Sequence, residues 1–185
     1  MHIIAGERRG TQLFAPKGMD TRPTQAKVKE SLFNIIQMYV PEADVLDLFA
    51  GSGNLALEAL SRGAASAVLV DMDRDANACI RRNIEKLRYT ESTLVLKADW
   101  KHAVAQLAAD KKVFDLVFLD PPYRMMELGE ICASLADAQL LASGAMMVLE
   151  HRTGPFGEPD DRFELVKERT YGDTEIHFYL YDVQG

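Results

Sequence analysis

Asp120, Pro121, Pro122 and Tyr123 follow without a break on the apolar run from Phe114 to Leu119. An amino nitrogen on a nucleobase is a weak nucleophile, because its lone pair is delocalised into the ring. Two acceptors, the Asp120 carboxylate and the Pro121 carbonyl, can bind its two hydrogens and favour the pyramidal geometry needed for attack on a sulfonium methyl. The prolines hold that carbonyl stiffly, and they end the strand because they offer no backbone N–H to a ladder. Tyr123 supplies a face on which a flipped-out base can stack. As an ordinary strand-ending turn the same residues would need no chemistry. Three other strand ends carry residues that complete a chemical set.

The first is "DLFAGSGNLALEAL". Gly51 and Gly53 lie in a strand-to-helix turn, where the missing side chain lets a ligand approach the backbone N–H groups. Gly51, Gly53 and Ala56 also fit the loose dinucleotide fingerprint, so NAD or FAD is an alternative. Asp47 weighs against it, because a carboxylate there would repel a pyrophosphate and favour the ammonium of an amino-acid moiety. The second end is Asp71, 18 residues after Gly53, the position of an acid that accepts both ribose hydroxyls. Asp73 reads as the N-cap of the next helix. At the third, Asp99 can accept from an adenine amine or cap the helix that follows it, and Trp100 can lie against a ring face. Ammonium, ribose and adenine partners at successive strand ends describe S-adenosylmethionine. Phe49 and Ser52, in the same turn as the glycines, join Asp47, Gly51, Gly53, Asp71, Asp99, Trp100 and Asp120 as the expected cofactor-binding set.

Such a set requires a scaffold that gathers strand ends. "HIIAG" and "TQLFAP" flank the turn "ERRG" and predict a short hairpin, followed by a helix from Gln25 to Tyr39 with an apolar stripe of Val28, Leu32, Ile35, Ile36 and Tyr39. Strands are then predicted over 45–49, 67–70, 93–97, 113–119 and 145–149. They alternate with helices over 55–62, 74–87, 101–109 and 126–135. Near-continuous apolar strands alternating with helices indicate an α/β fold, a mostly parallel sheet covered on both faces. "FELVKERTYGDTEIHFYLYDV" predicts a closing antiparallel hairpin about Gly172 and Asp173.

With 185 residues, 48% hydrophobic and 26% charged, the chain is sized for one domain. Its net charge of −7 is uneven: residues 1–40 carry +3 and the remainder −10. This suggests a basic N-terminal extension (1–40) on an acidic catalytic core (41–185), with an anion-binding patch in the extension. The longest apolar run, Leu140 to Leu149, falls well short of the ~20 residues that span a bilayer, so a soluble, cytoplasmic protein is expected. Cys79 and Cys132 are read as reduced core residues. His2, His102 and His177 have no ligand spacing, and no metal is predicted. Glu150 and His151 follow the fifth core strand, near the expected cleft.

The run "DLFAGSG…VDMD…KADW…DPPY" resembles class I S-adenosylmethionine-dependent methyltransferases that modify exocyclic amines. "IIAGERRGTQLFAPKGMDTRPTQAKVKESLFNII", "LEALSRGA" and "YGDTEIHFY" are similar to the RsmD family of 16S ribosomal RNA guanine-N2 methyltransferases, over nearly the whole chain. The resemblance implies a Rossmann-like, seven-stranded sheet with its last strand antiparallel. It implies methylation of a guanine in 16S rRNA, presented on an assembled or partly assembled small subunit, with Arg8, Arg9 and Arg22 on phosphate. Thr11 and Asp71 depart from the family pattern, which more often has a basic residue and a glutamate there. Three other readings are a DNA or RNA methyltransferase acting on adenine N6 or cytosine N4, a non-catalytic RNA-binding module and a nicotinamide enzyme. The first normally needs a further recognition segment; the second would leave Asp120 and Tyr123 without a use; Asp47 opposes the third.

Overall fold

The computed structural model describes residues 1–17, 23–122 and 127–182. Helix α1 (Pro23–Ile36) passes into a 3-10 turn at Gln37–Tyr39. The last predicted helical turn therefore tightens, as helix ends often do, and Tyr39 is exposed rather than part of the buried stripe. Then follow β1 (Asp44–Asp47), α2 (Asn54–Ser61), β2 (Ser66–Asp71), α3 (Arg74–Leu87), β3 (Thr93–Lys97), α4 (Trp100–Ala109), β4 (Phe114–Leu119), α5 (Leu128–Asp137), β5 (Leu141–Arg152), β6 (Phe163–Tyr171) and β7 (Thr174–Tyr181).

The seven strands form one sheet in the order β3-β2-β1-β4-β5-β7-β6. The first five are parallel, and β7 inserts antiparallel between β5 and β6. Strand order reverses between β1 and β4, the switch point outside which ligands bind in open α/β sheets. Strand β5 is longer than expected at both ends, because Leu141 already pairs with Phe114 across a register shift and its far end ladders with β7 as far as Arg152.

Side chains alternate between the two faces of a strand, and the two core clusters follow that rule. Val45, Leu69, Leu116, Phe118, Met146 and Val148 pack against α1, α2 and α3. Leu46, Val70, Val117, Leu119, Met147 and Leu149 pack against α4 and α5. Continuing the alternation puts Asp47, Asp120 and Glu150 on the first face and His151 on the second.

The N-terminal segment turns back on itself in a short hairpin, with one antiparallel bridge, His2 with Gln12; Ile3 N donates to Thr11 O, Gly10 N to Ile3 O and Leu13 N to Met1 O, each at 2.8–2.9 Å. Other backbone N–H groups of the segment go to side chains of the helices. Ile4 and Ala5 donate to the two carboxylate oxygens of Glu58 (2.8 and 3.0 Å), Arg8 to Ser61 Oγ (2.9 Å) and Phe14 to Asn83 Oδ1 (2.7 Å). Glu58 is fully buried and also pairs with Lys29 Nζ at 2.9 Å and Arg62 Nε at 2.8 Å. Burial alone would raise the Glu58 carboxyl, but Lys29, the Ile4 amide and Arg62 outweigh it and hold it below its ordinary value. Gly6 is required in this strap: its φ is +87°, and a Cβ there would lie 1.8 Å from Ser61 O.

Candidate active site

The turn after β1 is built by its backbone. Ala50 N donates to Val70 O, Gly53 N to Ala50 O and Gly51 N to Asp71 Oδ2, each at 2.8–2.9 Å. Gly51 and Gly53 have φ of +60° and +87°, a region costly for other residues. Gly53 is also the N-cap of α2. The second oxygen of Asp71 accepts from Asp73 N at 2.9 Å, and Asn77 Nδ2 holds both the Asp71 and Asp73 carbonyls. Asp71 is thereby fixed against the glycine turn, its carboxylate spanning the β1 and β2 ends. Asp73 caps α3 through Ala76 N, as expected. Ser52 is buried, and its carbonyl accepts from Asn83 Nδ2 at 2.9 Å, which ties the turn to the N-terminal strap.

Asp47 ends β1 with only 3% of its surface exposed. Burial pushes its carboxyl up to about 7, aided by Asp71 and Glu150 and opposed by a hydrogen bond from Phe49 N at 3.3 Å. Among the described residues no cation pairs with it. Phe49 itself is half-buried, packed on the α4–α5 side of the sheet.

Asp120 as a residue keeps an exposed surface, yet its carboxyl group sits among protein atoms and is hydrogen-bonded to Glu150. That burial, then the charges of Glu150 and Asp47, raise it well above the usual carboxylate range. Burial raises Glu150 too. The two carboxyls thus lie within hydrogen-bonding reach of one another, each with its proton affinity raised. Their approach follows from register: Leu119 of β4 is opposite Leu149 of β5, so the next residues on each strand are neighbours. Sequence reasoning noted Glu150 but gave it no role; the usable signal was its in-phase position, one step past a paired strand, beside Asp120.

The structure also brings Asp99 and Trp100 to the end of β3, with a difference. Asp99 is the N-cap of α4, accepting from His102 N at 2.8 Å, and both its oxygens lie 2.9 Å from His102 Nδ1. The His102 backbone and ring hold the carboxyl below its usual range. The capping reading of Asp99 is therefore realised, and any adenine contact must share the same oxygens. Trp100 is half-buried at the first turn of α4. Pro121 is half-buried and Pro122 exposed. Tyr123 and Arg22 lie outside the described residues. Arg8 donates Nε to Leu87 O at 2.8 Å and lies over the Tyr89 ring, while Arg9 is exposed at the turn. Cys79 and Cys132 are buried free thiols.

Comparison with known proteins points the same way. The conserved hypothetical protein 95 family matches residues 1–180. The chain is 35% identical over 187 residues to ribosomal RNA small subunit methyltransferase D of Escherichia coli (strain K12), covering all of this chain and 92% of the relative. Among solved structures, a hypothetical protein of Thermus thermophilus superposes with a TM-score of 0.79 at 28% identity, covering 99% of each chain. An RNA methyltransferase of Salinibacter ruber in complex with S-adenosyl-L-homocysteine shares the fold, with a TM-score of 0.65 at 15% identity over 90% of this chain and 96% of that one.

Proposed function

The chain belongs to the conserved hypothetical protein 95 (RsmD) family, and on that premise we propose that it transfers a methyl group from S-adenosylmethionine to the exocyclic N2 of a guanine in 16S ribosomal RNA. The observation that carries the reading is Asp120, followed by the Pro121 carbonyl, at the end of β4. It adjoins β1 and its glycine turn, on the sheet face shared with Asp47 and Glu150.

The residues fit the cofactor by their donor chemistry. Asp47 is a buried carboxyl with no cation partner among the described residues, the complement of an α-ammonium. The turn 49–53 offers backbone to the amino-acid end, Asp71 offers two fixed oxygens to a ribose diol, and Asp99 with Trp100 borders the place of an adenine. When bound, S-adenosylmethionine supplies an electrophilic methyl on a sulfonium. Asp120 and the Pro121 carbonyl orient the target amine by accepting its two hydrogens. Transfer would exchange the methyl–sulfur bond for a methyl–nitrogen bond, with the sulfur leaving as a neutral thioether and the target nitrogen left with one proton too many. Asp120, whose surroundings raise its proton affinity, is placed to take it, and Glu150 is in hydrogen-bond contact to share it. Tyr123 stacks on the base, and Arg8, Arg9 and Arg22 hold phosphates.

The E. coli relative is named for the small ribosomal subunit, which supports 16S rRNA as substrate. An unpaired loop, presented on an assembled or partly assembled subunit in the cytoplasm, suits a base swung into a pocket. Adenine N6 or cytosine N4 could use the same two acceptors, but family membership favours guanine in rRNA. In keeping with this, no described helix is long and apolar enough to cross a membrane.

Single-turnover methyl transfer to 16S rRNA, measured beside cofactor affinity, tests the reading. Asp120→Asn keeps one acceptor oxygen and retains measurable transfer. Asp120→Ala keeps none and loses about a hundredfold to a thousandfold, the scale of one transition-state contact. Wild-type transfer by Asp120→Ala, or a loss traced wholly to cofactor binding, sinks the assignment.

A further inference from the structure

On the other face of the sheet from Asp120, three potential ligands converge. His151 on β5 and Glu175 and His177 on β7 bring donor atoms within 4.8 Å of one another. Strand geometry explains why: Glu175 and His177 are two apart on one strand and share a face, and His151 is the register partner of Glu175. No spacing in the linear sequence announces this set, because its members come from two strands 24 to 26 residues apart.

The hydrogen bonds fix where the lone pairs point. His151 Nδ1 lies 2.7 Å from Arg152 O; a carbonyl only accepts, so Nδ1 carries the hydrogen. His177 Nε2 lies 3.2 Å from Glu168 Oε2; a carboxylate accepts, so Nε2 carries the hydrogen there. In each neutral ring the other nitrogen is then a bare lone pair. Those two nitrogens, His151 Nε2 and His177 Nδ1, face each other at 2.9 Å, with Glu175 Oε2 3.9 Å from His151 Nε2. With both remote nitrogens protonated, three electron-pair donors converge, a geometry that a cation among them satisfies.

A proton could serve the two nitrogens, but two features favour a metal ion. Glu175 is a third donor that a single shared proton does not satisfy. The remote ring nitrogens are engaged by a backbone carbonyl and a carboxylate, the arrangement that orients metal-ligating histidines. Two imidazoles and a carboxylate are a zinc donor set. The rings are 8% and 9% exposed while Glu175 is 28% exposed, so the open side lies at the carboxylate. Phe156 covers the pair, its ring 4.0 Å from that of His151 and 4.7 Å from that of His177. Zinc–nitrogen bonds of about 2.0–2.1 Å need the nitrogens about 3.3 Å apart, a small opening from their present separation.

We propose that His151 Nε2, His177 Nδ1 and Glu175 Oε2 form a site for a late first-row divalent metal ion of the zinc class, bracing the ends of β5 and β7 behind the candidate active site.

Titration calorimetry of the chelator-stripped, tag-free protein with Zn2+ or Co2+ tests this. One ion per chain should bind with micromolar or tighter affinity, and Mg2+ should give no comparable signal. Co2+ should develop the visible absorption of a low-coordinate site. His151→Gln and His177→Gln should each weaken binding at least a hundredfold. Glu168→Gln, which only orients a ligand, should weaken it tenfold to a hundredfold. Glu175→Gln is the more exposed substitution and keeps the test valid if a histidine variant misfolds; it too should lower affinity. Absence of Zn2+ uptake below 100 µM metal, or uptake unchanged in these variants, overturns the site and leaves a shared proton between the histidines.

Discussion

Replacing Asp47 with asparagine should separate what this carboxyl does to the fold from what it does for the cofactor. Its proton is held up to about pH 7 in the folded chain, against about 3.9 for an unfolded aspartate. Between those values the folded state binds a proton that the unfolded state has released. The stabilising contribution is therefore complete below about pH 4, falls as pH rises, and is gone above about pH 7. Three pH units at about 1.4 kcal/mol each amount to about 4 kcal/mol. Asparagine has no proton to lose and keeps an acceptor for the Phe49 amide. Relative to wild type, Asp47→Asn should thus be more stable by about 1.5 kcal/mol at pH 5 and about 4 kcal/mol at pH 8. Urea unfolding of both proteins across that range gives the difference directly, because other titrations largely cancel. The same variant should bind S-adenosylmethionine tenfold to a hundredfold more weakly, since a charge-assisted contact becomes a neutral one. A stability difference that does not grow between pH 5 and pH 8 would refute the buried, cation-free account of Asp47.

Two further outcomes concern the N-terminal strap. Alanine at Arg8, Arg9 and Arg22 should weaken RNA binding and flatten its dependence on salt, by about 0.7–0.9 in the log–log slope for each phosphate no longer neutralised; cofactor affinity should hold, and an unchanged slope would place the RNA elsewhere. Glu58→Ala leaves Lys29 and Arg62 without their buried partner and frees the Ile4 and Ala5 amides, which should cost about 3–5 kcal/mol and expose those two amides to hydrogen exchange. Exchange at the wild-type rate would mean that the strap is held by other interactions.

The strand ends carrying Asp47, Asp71, Asp99 and Asp120 were legible because each is where an apolar run meets a turn, a pattern that both composition and periodicity report. What was not legible depends on pairing across the chain. The N-terminal hairpin forms as its alternation suggests, but its anchors do not show in that pattern: the amides of Ile4, Arg8 and Phe14 bond to Glu58, Ser61 and Asn83, more than fifty residues away. The length of β5 is set by its two neighbours rather than by its own apolar run. Glu150 and the His151–Glu175–His177 group become visible only once strand register is known. Asp99 had two readings open to it, and the local one, capping α4, needs nothing beyond the next three residues.

The strap also sets an order of assembly. Residues 4 to 14 are anchored by Glu58, Ser61, Asn83, Leu87 and Tyr89, between 53 and 82 positions downstream. At about 5–20 residues per second on the ribosome, this segment waits about 3 to 16 s for its anchors to be made. Until then Ile3 and Leu13, core residues in the finished protein, have nothing to pack on, and the arginine turn has no fixed position. A growing chain therefore carries its basic residues from the start, but the turn that holds Arg8 and Arg9 is fixed in place only when α3 closes.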